Sequence, residues 1–243
     1  MRRLLKALPL TLALASLCLL GVFAASCGSS SKTQARLVDA ISDGPALDVN
    51  LNSTKVFTDI LFSNPVQPTP PAYNSVPSGT VTLQAVNTGT STPYINSVNT
   101  TLNGSAQYTI VMTGFNTGTQ GAAPTFYSIS DNNTAPTTGN VEFRIINAST
   151  NSLPLSGGLD IYIVQPGQGL GSPQVSGLTL GQGSAYVSEN YNAAGYTVYV
   201  TPHGNQNQYF NITYQTPTGS IRTLVIVDSG NSISNFLELN DLG

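Results

Sequence analysis

Two hydrophobic patterns follow one another along the chain. From Leu4 through Ala25 the residues are almost continuously apolar. Beyond Ala35 the apolar positions alternate with polar ones in short runs, and Gly, Pro, Asn and Ser separate the runs. Alternation at period two marks a half-buried strand. In Leu47-Asp48-Val49-Asn50-Leu51-Asn52 the apolar side chains fall on one face and the polar ones on the other. Gly79-Thr80-Val81-Thr82-Leu83-Gln84 and Tyr108-Thr109-Ile110-Val111-Met112 read the same way. No run beyond Ala35 has the period of an amphipathic helix, so the pattern predicts an all-β body.

The first segment reads as an address. Arg2, Arg3 and Lys6 form a short basic region, an apolar stretch follows, and small residues close it. That order is a secretory signal. The closing residues Ala24-Ala25-Ser26-Cys27 resemble the bacterial lipobox, with Ala24 where Leu is usual. There the cysteine thiol is alkylated by a diacylglyceryl group and a peptidase cuts before it. The reading is a lipoprotein signal peptide over 1–26, with Cys27 as the lipidation site and membrane anchor. A Ser-rich stretch over 27–35 then serves as a flexible tether. Gly28 stands where Asp favours inner-membrane retention in some Gram-negative bacteria, so an outer-membrane location is favoured in a host that has one.

The rest of the chain is one unit written twice. Arg36-Leu37-Val38-Asp39-Ala40 corresponds to Arg144-Ile145-Ile146-Asn147-Ala148, and Leu47 to Leu51 corresponds to Leu159 to Ile163. Ser78-Gly79 before a strand corresponds to Ala194-Gly195, and Ser128 to Asp131 corresponds to Glu238 to Asp241. A repeat of about 110 residues is too long for a solenoid unit and suits an independent domain. Short strands at intervals of roughly 8–12 residues predict two tandem immunoglobulin-like β-sandwiches. The boundaries are 36–132, a linker over 133–140, and 141–243. The chain has no Trp and only two Cys, so the Cys…Trp…Cys pattern of antibody domains is missing and the likeness is architectural.

These repeats resemble the bacterial family known as Domain of Unknown Function 4397. Its units open with an Arg-apolar-apolar-polar-Ala strand, continue with an apolar-Asp-apolar strand, and place a Pro-small-Gly turn before a Thr/Tyr-rich strand. Here those are Arg36 to Ala40, Leu47 to Val49 and Pro77-Ser78-Gly79, then Arg144 to Ala148, Leu159 to Ile161 and Ala194-Gly195. The polar position of the first strand, often His in that family, is Asp39 in one copy and Asn147 in the other. The resemblance implies a secreted or lipid-anchored envelope protein with tandem copies, and it supplies no catalytic residues.

Composition narrows the chemistry. Eight Lys+Arg stand against 11 Asp+Glu, and three of the eight lie in the signal segment. The five that remain are outnumbered by the 11 acids and are too few to neutralise phosphates, which argues against nucleic acid as a partner. One His and two Cys exclude a zinc finger and a disulfide framework, and no metal or other cofactor is expected. His203 sits in the turn signature Pro202-His203-Gly204-Asn205, and no Gly-x-Ser-x-Gly elbow accompanies it. Asp48 to Asp59 imitates a calcium loop but has Ser53 where that loop needs Gly. Asp48 and Asp160 are repeat-equivalent and belong to different domains, which argues against a pair of glycosidase carboxylates. Alternation points Tyr162, Tyr199 and Tyr209 outward from the second repeat, where exposed Tyr can stack on sugar rings.

The sequence therefore predicts a non-enzymatic, lipid-anchored, extracytoplasmic envelope protein with a binding, adhesion or structural role. Its expected partners are the membrane and an envelope protein or glycan. The alternative is a carbohydrate-binding module that uses Tyr162, Tyr199 and Tyr209.

Overall fold

The alternating runs become strands. The computed structural model describes residues 32–62, 72–116 and 122–242, all within one compact unit, Lys32–Gly243. The signal segment, Cys27 and most of the tether lie outside the described residues. The tether ends earlier than its composition suggests. Thr33 is already buried, with its hydroxyl donated to Asn103 O, and the first strand starts at Gln34.

The first repeat holds β1 (Gln34–Asp39), β2 (Leu47–Leu51), β3 (Thr54–Ile60), β4 (Asn74–Ser75), β5 (Gly79–Asn87), β6 (Pro93–Leu102), β7 (Gln107–Thr113) and β8 (Thr125–Asp131). The second holds β9 (Asn140–Asn147), β10 (Leu159–Val164), β11 (Val175–Leu178), β12 (Val187–Asn190), β13 (Tyr196–Pro202), β14 (Phe210–Tyr214), β15 (Ile221–Ser229) and β16 (Ser232–Asn240). The strands form four sheets of four, in the orders β4-β1-β7-β8, β3-β2-β5-β6, β12-β9-β15-β16 and β11-β10-β13-β14. The two repeats match strand for strand, down to the parallel pairing of β1 with β7 and of β9 with β15. Each repeat is a β-sandwich.

Three apolar clusters hold this arrangement. Leu47, Val49, Leu51, Val81, Leu83, Ile95 and Ile110 are among the buried residues between the sheets of the first repeat. Phe143, Ile161, Ile163, Val198, Val200, Leu224 and Phe236 do the same in the second. A third cluster joins the repeats through Val38, Val111, Ile146, Val225, Val227, Leu237 and Leu239. The sheets containing β1 and β9 are thus buried on both faces. That explains why runs such as Leu224-Val225-Ile226-Val227 are continuously apolar, whereas β2 and β5 alternate. Wherever a polar side chain points into the junction it needs a built-in partner.

The chain enters and leaves at one end of this body. Gln34, Gln107 and Asp131 share one cross-strand row, so the start of β1 and the end of β8 lie at the same end of the sheet, with β7 between them. Arg36 Nη1 donates to Asn240 O at 3.1 Å, which brings the end of the second repeat to the same place.

Candidate functional site

The outer face of the sheet β11-β10-β13-β14 carries the predicted tyrosines. Ile161, Ile163, Val198 and Val200 point into the core, so Tyr162 and Tyr199 point away from it and stand directly opposite one another. Asn211 faces Tyr199 from the other side. Phe210 points inward against Phe236, which places Tyr209 on the outer face one step from Asn211. The three tyrosines therefore share a face, as alternation predicts, but their exposure differs. Tyr209 is 41% exposed and Tyr199 half-buried, while Tyr162 is 3% exposed. The prediction of an exposed Tyr162 is corrected: β10 is a central strand, and its outward side chains Asp160, Tyr162 and Val164 are all covered. Tyr162 supports Tyr199 and cannot itself contact a ligand.

A cluster of Asp160, Ser176 and His203 adjoins this face. Asp160 Oδ1 lies 2.9 Å from His203 Nδ1 and accepts from Ser176 Oγ and Gly177 N at the same distance. Oδ2 accepts from Gly204 N at 2.9 Å. Burial pushes the carboxyl pKa upward, but the bonds from His203, Gly204, Gly177 and Ser176 outweigh it and hold Asp160 below the usual carboxylate range. The residue types match a hydrolytic triad, but the geometry does not. Ser176 Oγ lies 3.3 Å from Nδ1, the same ring nitrogen that faces Asp160. A triad needs the nucleophile at the opposite nitrogen.

Asp160 instead ties a bulge to a turn. Ser176 and Gly177 form the bulge where β11 slips its register against β10, and Gly204 opens the turn after β13. Asp48 repeats the device. It accepts from Lys55 Nζ at 2.5 Å and from Asp59 N at 2.9 Å, with Thr88 Oγ1 at 3.4 Å and Gly89 N at 3.5 Å. The Lys55 bond, then that from Asp59 N, lowers its pKa. Donors surround this carboxylate, so the resemblance of 48–59 to a calcium loop fails. Among the described residues no group of three or more His, Cys, Asp or Glu is placed to hold a metal ion.

The densest polar constellation lies at the junction. Arg36 Nη2 is 2.5 Å from Asp241 Oδ1, and Arg144 Nη1 is 2.6 Å from Asp131 Oδ1. Each repeat's arginine thus takes the terminal aspartate of the other. Around each pair the same residues recur. Arg36 Nε donates to Thr109 Oγ1 and Arg144 Nε to Thr223 Oγ1, both at 2.9 Å. Tyr73 donates to Asp131 at 2.6 Å and Tyr186 to Asp241 at 3.0 Å. The Tyr73 ring lies 5.1 Å from the Arg36 guanidinium and the Tyr186 ring 5.0 Å from that of Arg144. All four charged side chains are essentially inaccessible. Burial alone would lower Arg36, but Asp241 and Asp131 raise it overall. Burial likewise drives both tyrosine hydroxyls above their ordinary value.

Sequence comparison of the repeats aligns these arginines and aspartates without showing that they meet. The signal for it is an Arg set inside each apolar first strand, matched by one Asp at the end of each copy. One buried acid has no such match. Asp39 Oδ1 accepts from Ile41 N at 2.9 Å, while Oδ2 has no hydrogen-bond partner. Burial raises its pKa to about 7.

A family model described as Domain of unknown function (DUF4397) matches residues 33–162. That span covers the first repeat and continues through Tyr162 in β10. No curated protein matches the chain significantly.

Proposed function

Because the chain belongs to the DUF4397 family, which carries no assigned activity, we infer a role from its construction: a non-enzymatic, lipid-anchored protein of the bacterial cell envelope that works by contact. Cys27 is the anchored residue. Two or more acyl chains, at roughly 0.8 kcal/mol per buried methylene, give stable attachment where one does not. The single observation that carries this reading is that the start of β1 and the ends of β8 and β16 lie at one end of the body. A tether ending at Thr33 would hold the body by that end and present the opposite end and both outer sheets outward. The acids of the repeat motifs support a scaffold role, since Asp48, Asp131, Asp160 and Asp241 are spent on internal bonds.

The test is made on the full chain in a bacterial host. Mass spectrometry of the N-terminal peptide should find acylated Cys27, and the protein should enter the detergent phase on Triton X-114 partition. Cys27→Ser should move it to the aqueous phase. A wild-type protein whose Cys27 carries no acyl group would end the reading.

A further inference from the structure

We propose that the outer face of the second repeat binds a neutral glycan across Tyr199 and Tyr209, gripped by the two connections within this sheet that are longer than their counterparts in the first repeat. The proposal rests on the contact reading above and names the ligand class.

The two repeats match in strands but differ in connections on this sheet. In the first repeat β2 and β3 are joined by Asn52-Ser53 alone, with both residues at positive φ. In the second, β10 and β11 are joined by 165–174. The turn after β5 spans 88–92, whereas the one after β13 spans 203–209 and reads His203-Gly204-Asn205-Gln206-Asn207-Gln208-Tyr209. These two longer connections touch, since Gln206 Nε2 donates to Gly171 O at 3.3 Å.

The longer turn is built to stay in place. His203 and Gly204 are fixed on Asp160. Asn205 N donates to Pro202 O, Asn207 N to Asn205 Oδ1, and Tyr209 N to Val200 O. Asn211 Nδ2 donates to Gln208 Oε1 at 3.0 Å, which sets an amide pair beside Tyr199. A preorganised loop loses little freedom on binding. The result is an exposed tyrosine and a half-buried one on a face edged by Gln206, Gln208 and Asn211. Tyrosine rings offer an apolar face with a hydroxyl at the tip. Primary amides supply donors and acceptors together, as a polyol requires.

Charge decides the ligand class. Between Asp160 and Arg222 the sequence has one charged residue, Glu189, and that residue lies on β12 in the other sheet. Asp160 on this face is covered and already bonded to His203, Ser176, Gly177 and Gly204, so the face offers no unpaired carboxylate, Lys or Arg to a charged polymer, and a neutral sugar leaves no charge without a partner. The matching face of the first repeat has Asn50 opposite Gln84 and Thr82 opposite Asn99, with no aromatic ring in those rows. It serves as an internal control.

The experiment uses the full lipidated chain in detergent, titrated by calorimetry with cellohexaose, chitohexaose and maltohexaose. Wild type should bind at least one of the three. Tyr209→Ala should weaken binding by about tenfold or more, Gln206→Ala should weaken it measurably, and Asn99→Ala on the first repeat should leave it unchanged. Tyr199→Phe, which keeps the ring, should retain binding while removing one hydroxyl. No heat with any of the three sugars would overturn the proposal. So would binding that Tyr209→Ala and Gln206→Ala leave untouched. Detergent partition of the same preparation reports on the anchor separately, so loss of sugar binding with partition intact counts against this site alone.

Discussion

The Arg36 guanidinium lies 2.5 Å from the carboxylate of Asp241, 205 residues further along the chain. Arg144 takes Asp131 in exchange. The four groups are neutral as a set, and each would be costly alone at such burial.

Removing one member should therefore be worse than removing a balanced pair. Arg36→Met leaves the buried Asp241 with only the longer cationic contact, to Arg144 at 3.8 Å, and the cluster with one excess negative charge; it should cost about 3–5 kcal/mol of unfolding free energy. Arg36→Met combined with Asp241→Asn restores neutrality and should be more stable than the arginine variant alone. Denaturant unfolding of the four forms gives the coupling. Strict additivity of the two substitutions would refute the exchange as an energetic unit.

Asp39 predicts a pH profile. Its pKa is raised from 3.8 to about 7, so the folded state prefers the protonated acid. Its contribution to stability is fully present below about pH 4 and is lost as pH rises through about 7. At 1.36 kcal/mol per pH unit the loss has an upper bound of roughly 4 kcal/mol. The second repeat already holds the remedy. Asn147 accepts from Ser149 N as Asp39 accepts from Ile41 N, and its amide donates to Ser152 Oγ and Leu178 O. Asp39→Asn should match wild type near pH 4 and exceed it at pH 8 in thermal unfolding. A variant less stable than wild type at pH 8 would contradict the assignment.

Asp160 acts with the opposite sign. Its lowered pKa means that its stabilisation is present above about pH 4 and fades as pH falls through the folded-state value. Asp160→Asn at neutral pH keeps the shape but replaces one acceptor oxygen with a donor, and should cost about 2 kcal/mol. Hydrogen exchange should localise the damage to the amides of Gly177 and Gly204. Unchanged protection at both would show that the carboxylate does not pin them.

Asp59 and Gly177 occupy the same place in the two bulges, at φ +55° and +69°. A left-handed backbone is strained for Asp and free for Gly. Asp59→Gly should thus stabilise the protein by up to about 1 kcal/mol. Gly177→Ala should destabilise it by about as much or more, because the added Cβ would sit 3.2 Å from Gly157 O. Melting curves of the two variants that shift in the same direction would remove this account.

The sheets and their duplication were legible because period-two alternation and turn residues report locally on which face is buried. The first strands, β1 and β9, also revealed themselves as repeat partners through Arg36 and Arg144. What those arginines touch was not legible, since the partners lie in the other copy and only the packing of two sheets brings them together. Tyr162 illustrates the same limit on a smaller scale. Alternation gives the side on which its ring emerges, but its 3% exposure depends on neighbouring strands and connections. Asp48 and Asp160 could be matched by register, yet their task required the bulges opposite them.

The grip of Asp241 on Arg36 has a consequence for how the chain is made. Synthesis delivers β1 long before β16, so Arg36 precedes by 205 residues the aspartate that holds it most closely. A chain truncated ahead of Asp241 would leave the buried Arg36 with only its longer carboxylate contact, to Asp131 at 3.7 Å. The junction thereby ties the settling of β1 to the arrival of β16.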